Sequence, residues 1–464
     1  MSNLLKKPKK EHPKDKQAKY ESLNLIENPF PNTPFVNKEN EDNRYNGRIY
    51  EAKVREKEHH KIIENFIKVP QVDQNHIRLG YILDHSYVGR GNGKSAFALN
   101  LINEINEEYC LNISNELNKC FGLHLSPEPG GRTKTFFSFV DLIFDAIIQK
   151  GIINYCLASL RLASINEIKK DITFDDLDEN EIVEQLNNLY WFQQNDVEIA
   201  EVTKGYYEHE KLDKISSSFP LNRDKNTFYN NVLVTQKDFK KYYYEVLKKG
   251  KERMNFVFND LVLFFQAAGF NGAYFIVDDF ERIPDFQSEK LKQEFALELR
   301  TNFFDGILEN AKIGFYNLIL ILHAGVPRLV EKAWGVSGMH RRSPMSEDEA
   351  EHIVKFDKLS YEHTKLMLEK YLEEYRLNKL PESSIAPFTE DAIKIIGEKS
   401  EMNASTILEK AYSLIESAVR DEVSKIDGEY VQTKLGKKDE ETKEDINDIL
   451  DGTSEDLFKK SKEK

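Results

Sequence analysis

The most restrictive feature of this sequence is a glycine-rich turn between a short apolar run and a helix-like pattern. The apolar run is LGYIL at residues 79–83, and the turn is VGRGNGKS at residues 88–95. Apolar residues, among them Phe97 and Leu101, then recur at helical spacing. A strand, such a turn and a helix in this order allow backbone N–H groups and the helix N-terminus to surround phosphate oxygens. The sequence therefore predicts a phosphate-binding turn.

The residue types in this turn suit that chemistry. The predicted nucleotide-binding residues are Gly89, Arg90, Gly91, Asn92, Gly93, Lys94 and Ser95. The glycines permit positive φ angles and close approach of the backbone to phosphate. Lys94 is expected to reach the β- and γ-phosphates and the Ser95 hydroxyl to hold Mg²⁺, so the predicted cofactors are ATP and Mg²⁺. Val88 stands where the usual pattern has its first glycine.

Two carboxylates follow a second apolar run. Asp278 and Asp279 come directly after AYFIV at residues 273–277. In a parallel α/β sheet, the carboxyl ends of the strands lie beside the ligand. We expect Asp278 to bind Mg²⁺ through water and Asp279 to polarise the attacking water. Glu281 is an alternative for the second role, and the competing interpretation is that it is a surface charge.

Three further residues are candidates for catalysis. His323 follows the apolar run LILIL at residues 318–322. It either contacts the γ-phosphate and orients water, or it is a structural histidine. Arg341 and Arg342 lie in a polar segment before IVKF at residues 353–356. Either arginine can stabilise charge on the transferred phosphoryl group of a neighbouring subunit, or both are simply exposed.

Apolar runs that alternate with helical patterns predict an α/β fold with a parallel sheet covered on both faces. The fold class predicted here is a P-loop NTPase sheet with a helical insertion and a C-terminal helical lid. The predicted boundaries are 1–24 for a basic tail, 25–150 and 255–358 for the two parts of the core, 151–254 for the insertion, 359–432 for the lid and 433–464 for a charged tail. Thr389 and Asn403 are expected to be helix N-caps in the lid.

The charge balance limits the range of partners. The net charge is −14, which argues against a surface built entirely for nucleic acid. Residues 1–20 nevertheless hold seven lysines, which form either a phosphate-binding arm or a solvated tail. No apolar run approaches the roughly 18–20 residues of a membrane span, and no secretory signal is visible at the N-terminus. We therefore expect a cytoplasmic protein with no membrane partner.

Together these residues resemble an AAA+ ATPase, and within that superfamily its origin-recognition-like branch. NPF at residues 28–30 and YNGR at residues 45–48 resemble the lead-in that flanks adenine in that branch. VDDFE at residues 277–281 is similar to its Walker B segment, with aspartate in place of the usual glutamate. FDKLS at residues 356–360 is similar to the entry into its lid. Ser405 stands where the family has a second sensor arginine.

The resemblance implies an ATP-hydrolysing protein that forms a homo-oligomer and acts with partner proteins, as in prokaryotic antiviral defence. One alternative is an ATP-gated, DNA-binding regulator of transposition or replication. Another is a signalling NTPase that a partner triggers, with the insertion as its docking surface. The sequence identifies neither the biological substrate nor the oligomer size.

Overall fold

The computed structural model describes residues 19–34, 36–67, 78–85, 90–106, 119–169, 172–207, 209–221, 232–305, 315–323, 326–341, 343–344, 350, 352–381 and 383–436. The chain divides into two compact units. One comprises Met1–Glu56, Tyr87–Asn100 and Phe356–Lys464 and is called the lid unit. The other comprises Lys57–Ser86 and Leu101–Lys355 and is called the sheet unit. The glycine-rich turn thus belongs to the same unit as the lead-in and the lid helices.

The centre of the sheet unit is a five-stranded sheet. Its strands are β1 (Leu79–Asp84), β2 (Lys119–Leu125), β3 (Phe270–Val277), β4 (Tyr316–Leu322) and β5 (Ile353–Phe356). Their order is β2-β3-β4-β1-β5, and the pairs β2–β3, β3–β4 and β1–β4 are parallel. All residues of β1 and β4 are buried, as apolar runs in a covered parallel sheet require. The prediction of an α/β fold with a parallel sheet is confirmed.

Helices connect and cover these strands. Those up to the insertion and through it are α1 (Glu56–Ile62), α2 (Lys94–Glu104), α3 (Phe136–Gln149), α4 (Ile152–Ile168), α5 (Glu179–Leu186), α6 (Leu189–Gln194), α7 (Ile199–Tyr207), α8 (Gln236–Lys241) and α9 (Lys251–Asn255). Those that follow are α10 (Leu261–Ala267), α11 (Glu289–Arg300), α12 (Val326–Ser337), α13 (Tyr361–Glu374), α14 (Glu390–Lys399) and α15 (Ala404–Arg420). Wider helical turns extend several of them, at Ile63–Ile67, Tyr242–Val246, Phe256–Asp260 and Thr301–Asp305.

The insertion shares its core with the sheet unit. The ring of Tyr243 stacks on Phe144 of α3 with centroids 3.8 Å apart, and Phe219 packs edge-on against Phe239 at 5.2 Å. Arg161 of α4 is fully buried, and its guanidinium donates hydrogen bonds to the carbonyl oxygens of Leu186 and Val234. The first contact ties the insertion to a helix outside it, and the others hold the insertion together.

The lid unit has a separate apolar core. Helices α13, α14 and α15 contribute buried residues such as Leu368, Ile393 and Ile407. Phe30 of the lead-in packs against the rings of Tyr371 and Phe388, with centroids 5.9 and 6.1 Å apart. The lead-in is therefore anchored on the lid helices by apolar contact.

Local capping was predicted correctly in this unit. The Thr389 side chain accepts a hydrogen bond from the backbone N–H of Ala392, and Asn403 accepts one from Thr406. Both residues have the extended backbone of an N-cap, which confirms the two predicted helix starts. Among the residues that the structure describes, no helix has both the length and the apolar character needed to cross a membrane.

Candidate functional site

The glycine-rich turn is the first part of the candidate site. Gly91 and Gly93 have φ angles of 91° and 83°, a region that glycine enters without steric strain. Helix α2 starts directly afterwards, and the N–H of Phe97 donates to the carbonyl oxygen of Gly93. Gly89 and Val88 lie outside the described residues. The described part of the turn therefore has the positive φ angles and the following helix that the sequence predicted.

Three successive carbonyl groups of the turn are held by donors within the lid unit. The Asn403 amide donates to the oxygen of Arg90 at 2.7 Å. The N–H of Ser405 donates to the oxygen of Gly91 at 2.9 Å, and Arg55 donates to the oxygen of Asn92 at 3.2 Å. The backbone of the turn is thus held by α15 and by the residue just before α1.

The direction of the peptide N–H groups follows from these bonds. In a trans peptide, the C=O of one residue and the N–H of the next point in opposite directions. The bonds between residues 90 and 93 are trans, since the cis bond that the structure contains is Ala386–Pro387. The N–H groups of Gly91, Asn92 and Gly93 therefore point away from Asn403, Ser405 and Arg55, respectively. Successive N–H groups on one side of a turn form an anion-binding concavity.

Arg55 is a contributor that the sequence analysis did not identify. Its side chain is buried, and the guanidinium lies 4.4 Å from the centre of the Phe356 ring. It also donates to the carbonyl oxygen of Asp357 at 3.0 Å. The Phe356 ring in turn packs edge-on against Phe97 of α2, with centroids 5.2 Å apart. Arg55 thus supports the turn by bridging its backbone to the segment that enters the lid.

The polar side chains of the turn differ in exposure. Lys94 and Asn92 are buried, Ser95 is partly buried and Arg90 is exposed. The Asn403 amide also lies 3.3 Å from the Oδ1 atom of Asn92. Lys94 and Ser95 occupy the first two positions of α2, where a helix N-terminus favours an anion.

The second part of the candidate site is the carboxyl edge of the sheet. Leu83 pairs with Leu322, and Leu320 pairs with Val277, so β1, β4 and β3 end side by side. Asp84 is the last residue of β1, while His323 and Asp278 directly follow β4 and β3. The order of the sheet thus brings the two predicted candidates and one additional carboxylate, Asp84, to a single edge.

Asp278 and Asp279 have different surroundings. The Oδ2 atom of Asp278 lies 3.5 Å from Nε2 of His124, and its Oδ1 accepts a hydrogen bond from the Asp279 N–H at 3.0 Å. Asp279 has a φ angle of 48° and forms an ion pair with Arg282. Burial, followed by the charge of Asp278, raises the pKa of Asp279 above its usual value, although Arg282 opposes this. The second aspartate is therefore engaged by a cation.

Glu281 and His323 form the best-defined pair at this edge. The Glu281 Oε1 atom lies 2.9 Å from Nε2 of His323, and the Glu281 side chain is 8 % exposed. The other ring nitrogen of His323 lies 3.3 Å from Oδ2 of Asp84, whose side chain is 1 % exposed. Glu281 is therefore not the surface charge of the competing interpretation.

The carboxyl edge of the sheet contains one possible set of metal ligands that differs from the predicted Mg²⁺ ligands. Asp279, Glu281 and His323 each present a ligand atom, and these atoms lie within 4.8 Å of one another. A set that contains imidazole suits a transition metal, whereas Mg²⁺ prefers oxygen ligands. The predicted Mg²⁺ ligands, the Ser95 hydroxyl and the Asp278 carboxylate, are oxygen donors of that type.

The predicted arginines are the least defined residues. Arg341 ends the short helical turn Met339–Arg341 and is exposed. Its N–H donates to the carbonyl oxygen of Gly338 at 3.2 Å. Arg342 lies outside the described residues. The exposure of Arg341 agrees with both interpretations of the sequence, a residue that reaches a neighbour and a plain surface charge.

Comparisons of this chain with known protein families, with curated proteins and with solved structures find no significant match.

Proposed function

We propose that this protein binds MgATP at the glycine-rich turn and hydrolyses it. The observation that carries the proposal is that three successive carbonyl groups of the turn are held by donors within the lid unit. Each of the N–H groups of Gly91, Asn92 and Gly93 points away from the donor that holds the preceding carbonyl, and a polyphosphate would accept hydrogen bonds from them. Lys94 adds a cation and Ser95 a hydroxyl at the start of the helix.

The carboxyl edge of the sheet supports hydrolysis over simple binding. The turn follows β1, the acidic residues follow β3, and His323 follows β4, the strand between them. In open α/β sheets, ligands bind outside the carboxyl ends of the strands. Asp278 would hold Mg²⁺ through water, and a second carboxylate, Asp279 or Glu281, would orient the attacking water.

The bound metal would supply charge neutralisation between the β- and γ-phosphates. The residues of the chain would supply the rest. Lys94 would bind phosphate oxygens, and the turn would position the polyphosphate. A carboxylate would accept the proton of water. These roles are the ones that the resemblance to AAA+ ATPases implies. The segments that resemble the AAA+ lead-in and lid form one compact unit with the turn.

We further propose that the ATPase works as a homo-oligomer with partner proteins in prokaryotic antiviral defence. The exposed Arg341 would complete a neighbouring site in this arrangement. A DNA-binding regulator and a partner-triggered switch are the competing roles. The mass of the protein in solution, with and without MgATP, tests whether it forms an oligomer. If the protein is a monomer under both conditions and its turnover does not depend on protein concentration, a site shared between subunits is excluded. The partner-triggered switch then becomes the favoured role.

The central test is ATP binding by calorimetry with the wild type and with Lys94→Ala. Two charge-assisted hydrogen bonds to phosphate are lost in this variant, each of about 1.5–3 kcal/mol. We therefore expect ATP affinity to fall by about 100-fold or more. Lys57→Ala, which removes an exposed lysine from α1, is the matched control and should leave affinity unchanged. Failure of the wild type to bind ATP, or equal affinity in Lys94→Ala, refutes the proposal.

A further inference from the structure

A concentration of lysines marks the last part of the insertion and the end of α3. Residues 236–253 hold six lysines and one arginine against three carboxylates, in a chain whose net charge is −14. A further lysine directly follows α3. All of these lysines are exposed, and together they are called the lysine patch: Lys150, Lys237, Lys240, Lys241, Lys248, Lys249 and Lys251.

Helix α3 joins the first members of the patch. The Gln236 side chain donates a hydrogen bond to the carbonyl oxygen of Ile148 at 2.9 Å. Helix α8 therefore begins beside the C-terminal end of α3, where Lys150 lies. The three lysines of α8 stand at positions i, i+3 and i+4, so they share one face of that helix.

Helix α3 also locates the lysines that precede α9. The Lys249 Nζ atom lies 3.8 Å from Oδ2 of Asp141. Burial raises the pKa of Asp145, and the nearby charge of Lys240 on α8 acts in the opposite direction. Asp141 and Asp145 are four residues apart, about one turn of α3. Lysines from α8 and from the segment before α9 thus border the same helix and form one surface.

Most of the positive charge of this surface is not paired. Lys248 lies 3.9 Å from Glu252, and Lys249 is paired with Asp141. Among the residues that the structure describes, the other five lysines of the patch have no carboxylate within ion-pair distance. Exposed ammonium groups of this kind are available to an anionic partner.

The two remaining carboxylates of residues 236–253 differ in their surroundings. The Asp238 carboxylate accepts hydrogen bonds from the N–H and the hydroxyl of Thr235, and so belongs to the N-terminal cap of α8. Glu245 is exposed and follows α8 in the wider helical turn Tyr242–Val246. Glu245 is therefore the acid that most directly opposes the binding of an anion.

The surface around these lysines is polar. The rings of Phe239, Tyr242 and Tyr243 are buried in the core, and of the large apolar side chains described between residues 236 and 253 only Val246 is exposed. Binding to a membrane surface needs a broader apolar face, and protein interfaces depend on aromatic or arginine anchors. Duplex DNA instead offers a dense row of phosphates, with one negative charge per roughly 1.7 Å of its axis.

We propose that the lysine patch binds the phosphate backbone of duplex DNA. This inference goes beyond the proposed ATPase activity and does not depend on it, because the patch lies wholly within the sheet unit. The ammonium groups contact phosphate oxygens and release the counterions that surround the duplex. Contacts to phosphate carry no sequence information, so the binding is independent of base sequence.

The test measures binding of the full chain, without nucleotide, to a fluorescein-labelled DNA duplex by fluorescence anisotropy at several KCl concentrations. The patch variants are K237A/K240A/K241A and K248A/K249A/K251A. Each lysine that contacts a phosphate contributes about 0.9 to the slope of log affinity against log salt. Each patch variant should therefore reduce that slope by about 2–3 and lower affinity near 0.1 M salt by about 100-fold. A duplex of unrelated sequence should bind within about threefold.

Two controls separate the patch from net charge and from folding. The matched control K57A/K290A/K332A removes three exposed lysines elsewhere in the sheet unit and should keep both slope and affinity. Glu245→Gln removes the exposed acid and should raise affinity by about threefold. A misfolded protein cannot produce such a gain, and thermal unfolding checks every variant.

The outcomes decide the inference directly. Reduced slope and affinity in the patch variants, with the control unchanged, support it. A wild type that does not bind the duplex even at low salt, or equal slopes in the wild type and both patch variants, overturns it. An equal loss in the control overturns it as well, because charge alone then explains the binding. Binding through the patch to vesicles that contain phosphatidylserine, without binding to DNA, overturns the choice of nucleic acid. Failure of the protein to bind ATP refutes only the proposed function.

Discussion

Asn403 makes two separable contributions, and replacing it tests how the lid supports the phosphate-binding turn. Its Oδ1 atom accepts a hydrogen bond from the N–H of Thr406 at 3.3 Å and caps α15. Its Nδ2 group donates to the carbonyl oxygen of Arg90 at 2.7 Å. Asn403→Ala removes both bonds, whereas Asn403→Asp keeps the acceptor and removes the donor.

The expected magnitudes follow from these two bonds. Loss of an N-cap lowers the free energy of unfolding by about 1 kcal/mol. Loss of one hydrogen bond to a backbone carbonyl contributes about 1 kcal/mol more. The alanine variant should therefore lose about 2 kcal/mol, and the aspartate variant about 1 kcal/mol. The hydrogen bonds from Nδ2 to the Arg90 carbonyl and to Oδ1 of Asn92 position the turn and are lost in both variants, so both should bind ATP about fivefold more weakly.

The assay pairs chemical denaturation with calorimetric titration of ATP. The matched control is Thr389→Ala, because Thr389 caps α14 in the same unit and its side chain contacts Asp391 and Ile426. It should lower the free energy of unfolding by about 1 kcal/mol and leave ATP affinity unchanged. Equal loss of ATP affinity in Thr389→Ala and Asn403→Ala, or normal affinity in Asn403→Asp, would refute the reasoning.

Three further predictions concern other parts of the molecule. Gly91→Ala should lower the melting temperature more than Gly93→Ala, because a Cβ atom at Gly91 would lie 2.5 Å from the Ser405 Oγ atom whereas one at Gly93 has nothing within 4 Å. Both variants share the penalty of about 1–2 kcal/mol for a positive φ. Adding Ser405→Gly to Gly91→Ala should reduce the difference without removing it, because the Cβ atom would still lie 3.0 Å from the Asn403 Oδ1 atom. Burial acts to raise the pKa of Glu416, but hydrogen bonds from neighbouring side chains hold that pKa below its usual value. Ionised Glu416 therefore stabilises the folded state, fully above about pH 4.3 and progressively less as the pH falls below that value. The melting temperature should therefore fall more steeply from neutral to acidic pH for the wild type than for Glu416→Gln. Parallel curves of melting temperature against pH would contradict this. Arg161→Met leaves two buried carbonyl oxygens without their donor and should lower the free energy of unfolding by about 2 kcal/mol or more, measured by denaturant titration; a change below about 0.5 kcal/mol would show that these bonds contribute little.

Local patterns predicted the parts of the fold that depend on neighbours in sequence. The apolar runs end within a residue of the observed ends of β1, β3 and β4, since a strand covered on both faces must be apolar along its length. The N-caps Thr389 and Asn403 could be predicted because the capping hydrogen bond joins a side chain to the backbone N–H three residues later. Its formation therefore depends mainly on the type of the capping residue.

The features that the sequence did not predict depend on contacts between residues that are remote in sequence. Arg55 stands in the sequence as one charged residue among several, yet it lies over Phe356 and donates to the backbone of the glycine-rich turn. Asp84 was not considered, because a single acid after an apolar run is common and its partner His323 is remote in sequence. The sequence also did not predict the wider helical turns, because one extra residue in a helical turn leaves no clear trace in the spacing of apolar residues.

The order of the strands has a consequence for the synthesis of this chain. In the sheet, β1 lies between β4 and β5, but it ends at Asp84 while β4 begins only at Tyr316 and β5 at Ile353. Ribosomes add about 5–20 residues per second, so this buried strand emerges on the order of ten seconds before either of its neighbours. During that interval its unpaired edges and apolar side chains are available to other nascent chains. Productive folding of this protein should therefore depend on chaperones that bind short apolar segments, and its soluble yield should rise when synthesis is slowed by lower temperature.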